Sequence, residues 1–268
     1  MELITSAQNP KIKKLQQLQQ KSSERRKEGL FVVEGVRELL HCLSVGYEVD
    51  TLFYCPEILG DGSGDGDDEA RVRALLNKVR SFSVSAEVYA KIAYREGTEG
   101  IVAEMTVKQL GLNDLQLPEH PLVVVLESVE KPGNLGAILR SADAAKVDAV
   151  IVCDPLTDLF NPNLIRSSIG AIFTVPCVAC SSQECITFLK QQGIRILTAQ
   201  LQDSELYYDT DMRQGTAIVM GNEATGLTQQ WREAADAHIR IPMLGRLDSL
   251  NVSVSAAILM FEAVRQRN

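Results

Sequence analysis

Long apolar runs are absent from this 268-residue chain. None approaches the roughly 20 residues a bilayer-spanning helix needs, so no membrane span is expected. The first residues, MELITSAQNPKIKK, are polar and lack the apolar stretch of a signal peptide, which points to a cytoplasmic protein. Histidine is rare. His41, His120 and His238 stand far apart without metal-motif spacing, and each is expected to be structural or exposed. Six cysteines are scattered along the chain: Cys42, Cys55, Cys153, Cys177, Cys180 and Cys185. Cys177 and Cys180 make a lone CxxC with neither a second pair nor a histidine close by, so buried reduced thiols are expected and no metal.

What is present is apolar content enough for a sizeable core: 45% of the residues, although aromatics supply only 5%. The net charge of −8 argues against binding nucleic acid over the whole surface. Its distribution is uneven, however. Lys11 to Leu30 carries seven basic residues against two acidic ones, while PEILGDGSGDGDDEA holds much of the compensating acid. A local basic patch on an acidic chain fits a specific RNA partner as well as it fits a solvated helix face.

Apolar spacing at Ile12, Leu15 and Leu18 predicts a helix over 8–21. Short strands LFVVEG, VDTLFYC, SFSV and GIVAEMTV, interleaved with helices, complete an α/β unit over residues 1–107. GDGSGDGDD (60–68) cannot bury apolar area and reads as a mobile loop. KQLGLNDLQLPEH (108–120) reads as an interdomain linker. Beyond it, strands predicted at 121–126, 148–153, 171–175, 194–198, 216–220 and 237–241 alternate with helices at about 133–146, 161–169, 181–192, 227–235 and 251–266. Such alternation implies a mostly parallel sheet with helices on both faces in a second domain, 121–268.

Ligands of such sheets sit beyond the carboxyl ends of the strands, where three segments stand out. EKPGNLGAILRSADAA follows PLVVVLE and offers Gly133, Gly136, Asn134 and Arg140. As a dinucleotide fingerprint it lacks the third glycine, which counts against a nicotinamide dehydrogenase. VMGNEATGLT displays Glu223 between Gly221 and Gly226. IPMLGRLDSLNVSVSAA places Ser249, Asn251, Ser253 and Ser255 at the mouth of a helix that needs only one of them as a cap.

In this order the three segments resemble the motifs of the SpoU (TrmH-like) branch of SPOUT methyltransferases. Residues 3–37 are more loosely similar to the ribosomal-protein-like, RNA-binding N-terminal domain of its rRNA-modifying members. The resemblance implies an α/β fold with a C-terminal trefoil knot and transfer of a methyl group from S-adenosylmethionine to a ribose 2′-hydroxyl of RNA. Ribosomal RNA is favoured over tRNA, and a non-catalytic RNA-binding or ribosome-assembly protein is the alternative of another class. It further implies a homodimer, with Arg140 reaching across the interface, and needs no metal.

The same resemblance assigns cofactor contacts to Thr198, Ala199 and Gln200, to Met220, Gly221 and Glu223, and to Ile241, Met243, Ser249 and Leu250. Arg140, Asn134, Glu223, Ser249 and Asn251 become the catalytic set. Arg140 grips phosphate or orients the hydroxyl, because a free guanidinium does not lose its proton near neutrality. RNA contacts are expected from Lys11, Lys13, Lys14, Arg25, Arg26, Lys27 and Arg140. Two positions depart from the family pattern: Lys146 replaces a usual glycine, and EKPGN replaces DPxN.

Overall fold

The computed structural model describes residues 3–59, 67–94 and 99–268. The segment expected as a mobile loop, 60–68, lies outside them except for its last two residues, which open a helix. Contacts divide the chain into Met1–Lys108 with Phe160–Arg166, and Gln109–Leu159 with Ser167–Asn268.

The first unit is built from β1 (Leu3–Ile4), α1 (Pro10–Gln20), α2 (Ser22–Glu28), β2 (Leu30–Glu34), α3 (Val36–Ser44), β3 (Val49–Tyr54), α4 (Pro56–Leu59), α5 (Asp67–Leu76), β4 (Ser81–Val84), α6 (Ala86–Ile92) and β5 (Ile101–Thr106). Its sheet is mixed, in the order β1-β4-β3-β5-β2. The helix predicted from Ile12, Leu15 and Leu18 is α1. Asn9 caps it, Pro10 opens it, and the three apolar residues are fully buried against the sheet.

One acid in this unit is misplaced for stability. Glu104 on β5 is 2% exposed, and its Oε1 has no hydrogen-bond partner. Burial pushes its carboxyl up to about 7, a shift that Lys14, 3.6 Å away, only partly offsets. The folded chain therefore holds a proton that the unfolded chain has lost between about pH 4.5 and 7, and stability falls as pH rises through that window. Glu104→Gln is expected to flatten the slope of Tm against pH and to recover up to about 3 kcal/mol above pH 7. An unchanged slope in the variant would assign the effect elsewhere.

The second unit contains β6 (Leu122–Glu127), α7 (Pro132–Ala144), β7 (Ala149–Cys153), α9 (Ala171–Thr174), β8 (Cys177–Cys180), α10 (Ser182–Gln191), β9 (Arg195–Ala199), β10 (Glu205–Leu206), β11 (Thr216–Met220), α11 (Gln229–Ala234), β12 (Ala237–Arg240) and α12 (Val252–Arg267), whereas α8 (Pro162–Ser167) groups with the first unit except for Ser167. Its seven strands are all parallel, ordered β10-β12-β9-β11-β6-β7-β8. Every residue of β6, β7 and β11 is buried, so both faces of the central strands are covered. One face carries the core that includes Phe188 of α10 and Trp231 of α11. No helix among the described residues is long and apolar enough to cross a membrane.

One local expectation changes. Residues 171–175 are not a strand: Ala171–Thr174 forms a helical turn after Gly170, and the strand begins beyond Pro176. A short apolar run does not distinguish the two by periodicity. Within the 108–120 segment, Leu110, Leu112, Leu115 and Leu117 pack on the parallel-sheet core. Lys146 ends α7 in the left-handed region, at φ 52°. A glycine bears that conformation without a Cβ penalty, which accounts for the family's usual residue there.

Candidate functional site

The three motif segments meet at Glu223. Pro132 occupies the first turn of α7, where its missing N–H costs nothing, and this places Asn134 at the helix mouth beyond the carboxyl end of β6. Asn134 Nδ2 donates to Glu223 Oε1 at 2.6 Å. Asn251 caps α12, its Oδ1 accepting from the Ser253 N–H at 2.9 Å. The other end of the same side chain donates from Nδ2 to Asn134 Oδ1 at 3.2 Å and to Glu223 Oε1 at 3.3 Å. Capping and site building are thus done by one residue. Lys131 closes the group, with Nζ 3.1 Å from Glu223 Oε2. The departure EKPGN therefore adds a cation that pairs with Glu223.

The Glu223 loop is held from beneath. Gly226 (φ 69°) donates its N–H to the Asn222 carbonyl at 2.8 Å, and Asn222 Nδ2 donates to the Ser128 carbonyl at 2.9 Å. Glu127, at the end of β6, is 2% exposed and accepts from both the N–H and the hydroxyl of Thr228, at 2.8 and 2.6 Å. Sequence reasoning missed this residue. Its signal was a lone carboxylate closing the apolar run PLVVVLE, where a buried charge requires hydrogen-bond partners.

Beside the cluster lies a cleft of about 660 Å³, within the usual range for small-molecule sites. Ala199, Gln200, Met220, Gly221, Glu223, Ile241, Met243, Ser249 and Leu250 all line it. Thr198, the remaining expected cofactor contact, does not. It is fully buried in β9 and bonded through Oγ1 to His238 Nδ1 at 2.6 Å, so its side chain serves the sheet. Lining residues not foreseen include Asn222, Thr225 and Arg240, and Ser255 at the mouth of α12 joins them. A smaller cavity of about 220 Å³ borders the same loop and is lined by Lys131, Asn134 and Glu223.

Ser249 faces the cleft, donates from its hydroxyl to Asp248 at 3.2 Å, and among the described residues stays outside the Glu223 cluster. Arg140 is exposed, with no intramolecular partner among the described residues. It sits six residues beyond Asn134, about 9 Å along α7 and on a different face. Gly133 and Gly136 do not shape a turn, because both lie inside α7. Gly136 is required for close approach: a Cβ there would fall 2.0 Å from Ser167 Oγ.

The basic residues of the first unit separate by environment. Arg25 is not available for RNA. It is 3% exposed, and its guanidinium donates to the carbonyls of Leu18 and Gln19 at 2.6 and 3.3 Å, satisfying the open end of α1. Lys11 covers the Phe82 ring, Lys14 pairs with Glu28 and Glu104, and Lys27 pairs with Glu24 and Glu28. Lys13 and Arg26 are exposed and have no such partner among the described residues.

Residues 121–261 match the SpoU rRNA Methylase family, and residues 9–103 match the MRM3-like substrate binding domain. The chain is 32% identical to a 23S rRNA (uridine(2479)-2′-O)-methyltransferase of Streptomyces viridochromogenes, over 98% of this chain and 92% of that protein. It is 29% identical to the 23S rRNA (guanosine(2553)-2′-O)-methyltransferase RlmP of Bacillus subtilis, over 97% and 98%. Among solved structures, an RNA 2′-O ribose methyltransferase superposes with a TM-score of 0.83 at 37% identity, covering 99% of both chains. An AdoMet-bound rRNA methyltransferase from Sinorhizobium meliloti does so with 0.87 at 28%, covering 98% of this chain and 97% of that one. With three motifs closing on one carboxylate beside an open cleft, and with a family match over more than half its length, the chain belongs to the SpoU rRNA methylase family.

Proposed function

We infer that this protein is an S-adenosylmethionine-dependent methyltransferase acting on a ribose 2′-hydroxyl of ribosomal RNA. The observation that carries the reading is the meeting of Asn134, Glu223 and Asn251 beside the 660 Å³ cleft. The cleft suits the cofactor: it is edged by loops at the carboxyl ends of β9, β11 and β12, and Gly221 lets the backbone of its own loop come close. When bound, the cofactor supplies a methyl group already activated by its sulfonium. Holding it falls to Ala199, Gln200, Gly221, Ile241, Met243 and Leu250.

The ribose hydroxyl is a weak nucleophile, so orientation and relief of its proton are the protein's task. Asn134 and Asn251 offer amide groups for orientation, with Glu223 fixing both. Arg140 holds an RNA phosphate through its planar fork. The family resemblance adds the trefoil knot and the homodimer. The homodimer is supported by an exposed apolar stripe: Val254 and Phe261 of α12, each 47% exposed and seven residues apart, with Leu244 and Leu247 nearby in sequence. The whole-length match to rRNA-modifying relatives favours rRNA over tRNA.

Mapping 2′-O-methyl positions in total RNA with and without the gene tests the reading. Loss of one rRNA methylation, restored by the purified protein and S-adenosylmethionine on unmodified rRNA, is the expected result. Loss only in tRNA, or no loss together with no cofactor binding, would refute it.

Of the basic residues, Lys13 and Arg26 carry the electrostatic RNA contact. The double variant Lys13→Glu/Arg26→Glu should weaken RNA binding and lower the salt dependence of log K by about 0.7–0.9 per lost phosphate contact. Cofactor affinity should not move. An unaltered salt slope would place the RNA surface elsewhere.

A further inference from the structure

We propose that Cys153, Cys180 and Cys185 form a trithiolate site for a thiophilic d10 metal ion, Zn²⁺ or Cu⁺, at the edge of the parallel sheet. All six cysteines are free and all but Cys180 are buried, and three of them converge on one point. Register pairs Cys153 on β7 with Cys180 on the edge strand β8, so the two side chains are neighbours on one face. Cys185, in the first half of α10, packs into the same core as Cys153. The three sulfurs all lie within 4.8 Å of one another. The sequence-level pair Cys177–Cys180 is not the relevant one; Cys180 turns to residues 27 positions before it and 5 after it.

An ion equidistant from three sulfurs at that largest separation would sit about 2.8 Å from each, so closing to the ~2.3 Å of a zinc–thiolate bond takes a shift of about half an ångström. Cys153 and Cys185 are fully buried while Cys180 is half-buried, which leaves an entry path from the sheet edge. No fourth His, Cys, Asp or Glu joins the group among the described residues. Three thiolates alone satisfy Cu⁺, and water would complete the tetrahedron of Zn²⁺. The amino terminus of α10 favours the resulting negative charge. Filling space would not require sulfur at three positions on three elements.

The test uses reduced, metal-free, full-length protein. It is titrated with Zn²⁺ against a chromophoric chelator, with Co²⁺ as a spectroscopic probe, and anaerobically with Cu⁺. Expected are one tightly held equivalent of Zn²⁺ or Cu⁺, thiolate-to-cobalt charge-transfer absorption and a rise in Tm, because the ion would tie β7, β8 and α10 together. Cys180→Ala, at the least buried position, and Cys185→Ser should each weaken binding by at least about 100-fold. Cys177→Ser and Cys42→Ser should leave it intact. Absence of a stoichiometric equivalent of either ion, or binding unchanged in Cys180→Ala, overturns the proposal. Neither outcome depends on methyl transfer.

Discussion

Gly221→Ala is expected to abolish S-adenosylmethionine binding in a protein that still folds its first unit. A Cβ at this position would lie 2.3 Å from the carbonyl carbon of Gly226, 2.5 Å from its oxygen and 2.5 Å from the Leu227 nitrogen. All three are backbone atoms, so no rotamer change relieves the contact. The strands of this turn are already joined by the bridge between Asn222 and Gly226, and Thr228 is anchored on buried Glu127. The loop must therefore open, and it carries both the lining of the cleft and Glu223. Isothermal titration should find affinity reduced by more than about 100-fold, consistent with a displaced positioning loop. Near-normal affinity would mean that the cofactor is not held by this loop.

Arg140→Ala is expected to lower methyl transfer by about 10²–10³-fold, the range for removing one preorganised charged donor. Cofactor affinity should stay within a few-fold, since Arg140 lies outside the cleft lining. Full activity would remove this residue from the mechanism. Because Arg140 is apart from the Glu223 cluster in its own chain, mixing supplies a sharper test. Dimers combining one Arg140→Ala subunit with one Gly221→Ala subunit should regain one working site if the arginine crosses the interface. If it acts within its own subunit, mixing restores nothing.

Much of this was legible without coordinates. Apolar runs alternating with helical segments marked most strands of the parallel sheet, and ordered motifs marked the loops that line the cleft. Misreadings arose where the signal was local and ambiguous. AIFT and CVAC look alike to periodicity, and only the sheet register separates helix from strand. Arg25 looks like its neighbour Arg26 in sequence, yet one side chain is spent on the carbonyls of α1 while the other is exposed.

The sequence by itself determined the alternation that demands a covered parallel sheet, the basic character of α1 and α2, and the residue types at the three loops. These follow from composition and spacing, which act over a few residues. Only the tertiary structure decided which residues meet. Asn134, Glu223 and Asn251 are separated by 89 and 28 positions, and Cys153 and Cys180 stand far apart along the chain but are register partners. Strand order brings such pairs together, and strand order is set by long-range packing that no local pattern encodes. EKPGNLGAILR is the clearest case: packing placed both its glycines inside a helix, Gly136 pressed against Ser167, while Asn134 between them donates to a carboxylate from another loop.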